Sequence, residues 1–131
     1  MAYPTLAPNC TWYKGTTKRA NISEIRIVDM YTPTGTVTES WNADTENIGS
    51  IKCYVIGTEL VIAGNDSGGI YANADSNYVF SDSSLKDFFK NVTVIDGLEL
   101  LDTSNVTSVR GMFDSCLGKT VEAVFQFPTF D

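Results

Sequence analysis

The chain has 131 residues, a formal net charge of −7, 43% hydrophobic residues and 19% charged residues. These values predict one domain, with at most a small appendage, and exclude a disordered protein or a coiled coil. The absence of histidine excludes histidine-based triads and the commonest zinc ligand. No apolar run approaches ~18 residues, and the N-terminus lacks a basic region and an apolar stretch, so we expect neither a transmembrane helix nor a signal peptide.

Charge is distributed unevenly along the chain. Residues 1–28 carry four bases and one acid, whereas residues 29–131 carry five bases and fifteen acids. The net negative charge argues against non-specific nucleic-acid binding, which depends on phosphate neutralisation. A basic N-terminal edge would suit docking on an acidic partner. Scattered bases on a solvated face explain the same pattern, and charge alone favours that second interpretation.

The N-terminal half predicts an irregular arm followed by strands. Residues 1–20 are polar and contain two prolines together with Trp12 and Tyr13. From residue 22 to residue 31, isoleucines alternate with charged residues, which is typical of a strand. Residues 37–41 predict a second, short strand.

A hairpin is the clearest local pattern in the chain. The segment Ser50–Ala63 consists of two β-rich runs joined by Gly57 and Thr58, which suits a two-residue turn with glycine in its first position. Another short strand is predicted at residues 70–73. We therefore predict an antiparallel unit of four or five strands over residues 22–73.

The C-terminal half has a different pattern. A serine cap, an early acid and a final base predict a short helix at Ser83–Lys90. Compact apolar runs follow at Val92–Ile95 and Leu98–Leu101, and the second run predicts a strand. The spacing of apolar residues from Asn105 to Phe113 predicts a helical turn. A final strand is predicted at Thr120–Phe127.

An internal similarity suggests stacked repeats. The segment Asp75–Asp82 resembles Ser108–Ser115, because in both an apolar residue and a phenylalanine precede small acidic or hydroxyl residues. Two units bury a core only against a neighbour. The strands of residues 22–73 would then serve as a cap.

The segment Ile95–Cys116 closely resembles BspA-like leucine-rich-repeat surface proteins, specifically the short type encoded in phages and prophages. Their repeat contains a Leu-Asp-Thr-Ser-Asn-Val-Thr core followed by Met-Phe and a cysteine. Several upstream segments resemble, more loosely, the N-terminal cap that precedes such repeats: residues 40–43, 49–55, 60–64 and 70–76. The resemblance spans residues 22–116 and brings no catalytic residue with it.

The expected fold is α+β, with an N-terminal antiparallel β-unit packed on a short leucine-rich-repeat-like β/α C-terminal half. Three regions are expected: an N-terminal arm at 1–20, an antiparallel β cap at 21–74 and a leucine-rich-repeat-like half at 75–131. The second and third regions are expected to form one compact domain.

Carboxylates and oxygen-rich loops are the candidates for chemistry. Asp96, Glu99 and Asp102 lie close in sequence, as paired carboxylates of a glycosidase would, but a polar strand edge is the simpler explanation. The loops Asn65–Gly69 and Asn73–Asn77 offer oxygen ligands for calcium, but they lack a complete calcium-loop spacing, so Asx-turns are favoured. We therefore predict no catalytic residue, no metal and no cofactor.

The three cysteines Cys10, Cys53 and Cys116 are far apart in sequence. With no signal peptide expected, this odd number predicts free and mostly buried thiols.

The functional expectation is a non-enzymatic structural protein of a phage virion, in the form of a capsid decoration, a head fibre or a tail-associated protein. Two departures from the family favour this expectation. Further repeats do not follow Cys116, and no export signal, which surface proteins normally carry, is expected. The partners would be other virion proteins, with the chain itself present as a homo-oligomer or in many copies, without nucleic acid or membrane insertion. The alternative is a small surface adhesin or glycan-binding module.

Attachment is expected through the N-terminal segment. Aromatic and basic residues lie together there, and aromatic side chains are common interface anchors. The candidate partner-binding residues are Trp12, Tyr13, Lys14, Lys18 and Arg19.

Overall fold

The computed structural model describes residues 3–80 and 89–110. These residues form a mostly β structure with few, short helices, so the predicted α+β class holds only loosely. Within the described ranges, no helix combines the length and the apolar character needed to cross a membrane. The strands are β1 (Glu24–Val28), β2 (Glu39–Asn42), β3 (Lys52–Ile56), β4 (Glu59–Ala63), β5 (Ile70–Tyr71), β6 (Val94–Asp96) and β7 (Leu101–Asp102), and 3-10 helices span Asn9–Trp12, Arg19–Asn21 and Leu98–Leu100.

A five-stranded sheet in the order β2-β3-β4-β1-β6 is the centre of the fold. The predicted hairpin is confirmed, since β3 and β4 pair antiparallel with Ile56 opposite Glu59. Gly57 has a φ of 64°, so the first position of the turn does require a residue that tolerates a positive φ. The strand β2 adds antiparallel to β3.

The prediction of an entirely antiparallel unit is wrong. The strand β1 lies between β4 and β6 and runs parallel to both, and β5 belongs to a separate two-stranded sheet with β7. Alternation of apolar and charged residues identifies a strand but carries no information about its direction. Parallel neighbours need a long connection, and β2 and β3 supply one between β1 and β4.

The two faces of the sheet differ in burial. Alternate residues of the central strands point into the core and are fully or almost fully buried: Ile25, Ile27, Cys53, Val55, Leu60 and Ile62. They pack in one cluster with aromatic side chains from both the N-terminal segment and the second half, including Trp12, Phe80 and Phe89. The core therefore joins the three predicted regions.

A second set of parallel pairings stacks three segments beside the sheet. Leu6 donates its N–H to the carbonyl of Tyr71 at 3.0 Å, and Ala72 donates to the carbonyl of Asp102 at 2.8 Å. Asp75 forms a parallel bridge with Ser108. Asp75 and Ser108 are the first residues of the two segments that resemble each other in sequence. The bridge therefore joins equivalent positions of the two segments.

Two predicted elements differ from those observed. Leu98–Leu101 was expected to be a strand, but Leu98–Leu100 form a 3-10 helix that leads into β7. The helical turn predicted at Asn105–Phe113 does not form between Asn105 and Arg110, the part of it that the structure describes. The reason is that the N–H groups of Thr107 and Ser108 bond to the carbonyl of Ala74 in the neighbouring layer and so do not form helical bonds.

Several predictions lie outside the described residues. They are the first six residues of the helix at Ser83–Lys90, the end of the helical turn at Phe113, the thiol of Cys116 and the strand at Thr120–Phe127.

Candidate functional site

The N-terminal segment is attached to the edge strand β2 through a carboxylate clamp. Glu39 Oε1 accepts hydrogen bonds from the Thr16 N–H at 2.6 Å and the Thr16 hydroxyl at 2.9 Å, and Oε2 accepts from the Thr17 N–H at 2.8 Å and from the Thr17 hydroxyl. Trp41 Nε1 on the same strand donates to the carbonyl of Trp12 at 2.8 Å. Residues 12–17 are therefore held against the edge strand β2 by the side chains of Glu39 and Trp41.

Trp12 lies in the interior. It is 0% exposed, and its Nε1 donates to the carbonyl of Val79 at 2.7 Å. The ring stacks on Phe89 with centroids 6.1 Å apart and planes 11° apart, and meets Phe80 edge-on at 6.1 Å. Burial with a satisfied indole N–H is the arrangement expected of a structural tryptophan.

Tyr13 and Arg19 extend the same aromatic cluster towards the surface. Tyr13 is buried and meets Trp41 edge-on at 5.0 Å and Phe89 at 5.4 Å. The guanidinium carbon of Arg19 lies 4.8 Å from the centroid of the Tyr13 ring. A cation over an aromatic face at this distance is attracted by the ring, so Arg19 contributes to packing of the cluster.

Lys14 and Lys18 are exposed. The Lys14 Nζ donates to Asn47 Oδ1 at 3.1 Å. Of the five candidate residues, three therefore meet in one aromatic cluster, and the two lysines project from the backbone that this cluster holds. That the segment binds a partner remains a prediction, and the exposed lysines are the side chains available for it.

The loop between β2 and β3 borders a shallow cleft of about 230 Å³, lined by Pro4, Thr5, Asp44, Thr45, Glu46, Ser50 and Asn73. Burial of Asp44 acts to raise the pKa of its carboxyl group. Hydrogen bonds from the backbone N–H groups of Ile48 and Gly49 outweigh this effect, so the pKa lies below its ordinary value. Both bonds are 2.9 Å long. The carboxylate of Asp44 therefore fixes the loop.

Polar residues of the candidate loops bond to neighbouring backbone. Asn73 Oδ1 accepts from the Asp75 N–H and Asp75 Oδ1 accepts from the Asn77 N–H, each at 3.2 Å, as in Asx-turns. Asp102 Oδ1 accepts from the Ser104 N–H at 2.8 Å. Hydrogen bonds from the Ser104 side chain and backbone lower the pKa of Asp102. The side-chain oxygens of Asn73, Asp75 and Asp102 thus stabilise turns next to the stacked segments.

The loop around Asp66 is also held by internal bonds. Asp29, which follows β1, accepts the Gly68 N–H on both carboxylate oxygens at 3.1 and 3.0 Å. Its carbonyl accepts the Asp66 N–H at 2.9 Å. Within residues 3–80 and 89–110, no three histidine, cysteine or acidic side chains are arranged to hold a metal ion.

Cys53 is a buried thiol on the inward face of β3. Burial raises its pKa, which disfavours the thiolate, and the thiolate is the reactive form. The predicted burial of this cysteine is thus confirmed.

Comparison with known proteins gives no family assignment. No protein-family model matches the sequence, and neither the curated proteins nor the solved structures contain a match.

Sequence reasoning missed Glu39, which holds the N-terminal segment, and Ile48, which projects from the loop after β2. Ile48 carried a signal, because it is an isolated large apolar residue in the polar run from Asn42 to Ser50. Glu39 carried none, since its partners Thr16 and Thr17 lie more than twenty residues away.

Replacing Glu39 by glutamine should weaken the clamp. Hydrogen bonds from Thr17 and Thr16 lower the pKa of Glu39 from 4.5 to about 2. A lowered pKa in the folded state stabilises the fold above pH 4.5, and this contribution is lost as the pH falls towards 2. We expect E39Q to lower the free energy of unfolding at pH 7 by about 1 kcal/mol, a small value because water screens this side chain.

Urea unfolding at pH 7 and at pH 2.5 measures this effect. The difference between wild type and E39Q should shrink at the lower pH. E46Q, which alters an exposed glutamate of the loop after β2, should behave as wild type at both values. An E39Q deficit that is equal at the two pH values would contradict the role of the ionised clamp.

Proposed function

We propose that the chain is a non-enzymatic structural protein of a phage particle, either a capsid decoration, a head fibre or a tail-associated component. It attaches through the exposed lysines of its N-terminal segment and displays the stacked segments of its second half. The sequence resemblance over residues 22–116 supports this proposal.

The observation that carries the proposal is that several acidic side chains hold the backbone of loops. Asp29, Glu39, Asp44 and Asp102 all accept hydrogen bonds from backbone N–H groups. A carboxylate that receives such bonds fixes the geometry of the loop that donates them. These acids shape loops, as expected of a scaffold that presents surfaces.

The second half is proposed to be a short leucine-rich-repeat-like stack. Its support is the parallel register between the layers. Asp75 pairs with Ser108, and the backbone N–H of Arg110 donates to Asn77 Oδ1 at 2.6 Å, each pair being 33 residues apart. This separation equals the offset between the two similar segments of the sequence, Asp75–Asp82 and Ser108–Ser115, as stacked repeats would give. Val106, between the paired residues Asp102 and Ser108, is buried.

Attachment is assigned to Lys14 and Lys18 because both are exposed and both belong to a segment fixed at either end. Trp12 and Tyr13 hold one end in the core, and Glu39 clamps Thr16 and Thr17 between the lysines. A pre-ordered segment loses little entropy on binding. On a symmetric shell, many weak lysine contacts to acidic sites add up through valency.

The test is association with particles by the double variant Lys14→Glu and Lys18→Glu. Point substitution is used because deleting residues 1–20 would also remove Trp12 from the core. We expect the wild type to co-purify with particles on a density gradient, and the double variant to lose at least about 90% of this association while remaining folded. Lys90→Glu, at an exposed lysine outside the segment, is the matched control and should associate normally.

Two results would contradict the proposal: wild-type protein absent from purified particles, or full association of the folded double variant.

A second candidate function is glycan binding, favoured by one surface. The rings of Tyr31 and Tyr54 are half-buried with centroids 5.4 Å apart, and the Arg26 guanidinium lies 5.4 Å from the Tyr31 ring. Binding of the isolated protein to a glycan array, with no association with particles, would favour this candidate.

A further inference from the structure

Three large apolar side chains are exposed among the described residues: Met30 at 64%, Ile48 at 68% and Val94 at 37%. Ile48 is flanked by the lysines Lys14 and Lys52, and Val94 is flanked by the acids Glu24, Glu59 and Asp96. We call Ile48 with Lys14 and Lys52 the basic patch, and Val94 with Glu24, Glu59 and Asp96 the acidic patch.

The basic patch is rigid. Asp44 holds the backbone N–H groups of Ile48 and Gly49, so the position of the exposed isoleucine is fixed. Lys14 Nζ bonds to Asn47, the residue before Ile48. On the other side, Lys52 Cε lies 3.2 Å from the position that a Cβ atom on Gly49 would occupy.

The same loop also carries two acids. Asp44 is buried and accepts the backbone N–H groups of Ile48 and Gly49, and Glu46 lines the cleft with Pro4, Thr5 and Asn73. Ile48 itself is flanked by the two lysines.

The acidic patch lies on the outer face of the sheet. Glu24 of β1 is paired in register with Glu59 of β4 on one side and with Val94 of β6 on the other. Asp96 follows on the same face of β6, because residues two apart in a strand share a face. The exposed valine is thus bordered by carboxylates.

These carboxylates repel one another. The pKa of Glu24 is raised by its hydrogen bond with Glu59, by burial, and by the negative charges of Glu59 and Asp96. Arg26 offsets part of this charge through an ion pair with Glu59 at 3.4 Å. One cation against three acids leaves a net negative patch, which an incoming lysine would stabilise.

The two patches lie at opposite edges of one sheet. The basic patch lies on the loop between β2 and β3 and at the start of β3, whereas β6 is the strand at the other edge. Three strand spacings separate β3 from β6, which is about 14 Å. A single copy therefore cannot bring its own patches together, but a neighbouring copy can.

We propose that the basic patch of one copy of this chain binds the acidic patch of the next, head to tail. Ile48 packs against Val94, and Lys14 and Lys52 face the acidic side chains. An interface between two different patches repeats from copy to copy and produces rings or open filaments. The inference goes beyond the proposed function and holds for the purified protein whether or not it enters a particle.

Sedimentation of the full chain over a concentration series, up to about 1 mM protein, tests the proposal. We expect wild-type protein to associate at low salt and to dissociate as salt screens the lysine–carboxylate attraction. Ile48→Asp and Val94→Asn should each weaken association at least about 10-fold, since each removes the apolar centre of one patch. Met30→Asp is the matched control, because Met30 is about as exposed as Ile48 and belongs to neither patch, and it should associate as wild type does.

A mixture of the two variants separates this proposal from other modes of association. The Ile48→Asp protein retains an intact acidic patch and the Val94→Asn protein an intact basic patch, so together they should form a one-to-one dimer and nothing larger. Near-UV circular dichroism verifies that each variant is folded, and Asp96→Asn replaces Val94→Asn if the latter is not. A wild type that stays monomeric, an equal effect of Met30→Asp, or a mixture that stays monomeric would each overturn the proposal.

Discussion

Replacing Trp12 by alanine should lower the free energy of unfolding by about 3–5 kcal/mol, the range for removing a large aromatic side chain from a core. The indole is fully buried, stacks on Phe89 and donates to the carbonyl of Val79. Its loss would leave a cavity between the N-terminal segment and the second half. Urea denaturation followed by circular dichroism measures the change.

Two control variants identify the source of this effect. Trp12→Phe keeps most of the ring but leaves the Val79 carbonyl without its indole partner, so we expect a smaller loss of about 1–2 kcal/mol. Lys14→Ala, at an exposed neighbouring position, should change the free energy of unfolding by less than about 0.5 kcal/mol. Equal stability of Trp12→Ala and Lys14→Ala would show that residue 12 is not in the core.

Replacing Gly97 by alanine should destabilise the protein by about 3 kcal/mol or more, through strain and a steric clash together. Gly97 has a φ of +87°, and a Cβ atom there would lie 2.0 Å from the backbone carbonyl oxygen of Ile27. Because backbone must move to relieve this contact, β1 and the helix Leu98–Leu100 would be pushed apart. Thermal and urea unfolding report the loss.

Gly57→Ala is the matched control for the clash. Gly57 also has a positive φ, +64°, but a Cβ atom there meets nothing within 4 Å. We therefore expect only the conformational cost of a non-glycine residue in this region, about 1–2 kcal/mol. If the two variants were equally stable, the close approach of residue 97 to Ile27 would not be a feature of the folded protein.

Local patterns predicted the strands better than their arrangement. The hairpin of β3 and β4 follows from two β-rich runs and Gly57, all within fifteen residues. The direction of β1 was not predictable in the same way, because it depends on pairings with β4 and β6 that are separated from β1 by whole elements.

In the candidate site, too, the sequence predicts some features, and others depend on distant residues. The exposure of Lys14 and Lys18 follows from their chemistry, since lysine rarely loses contact with water. The burial of Trp12 and Tyr13 does not follow from their neighbours in sequence, which are polar and irregular. It depends on Val79 and Phe89, far along the chain.

The bonds between the N-terminal segment and residues far along the chain bear on how the protein is made. Trp12 and Val79 are 67 residues apart, and Ala20 and Asn91 are 71 apart. Translation delivers Trp12 and Ala20 to the ribosomal exit before Val79 and Asn91, so their bonds cannot form until about 70 further residues have been synthesised. Contacts between such distant residues slow folding.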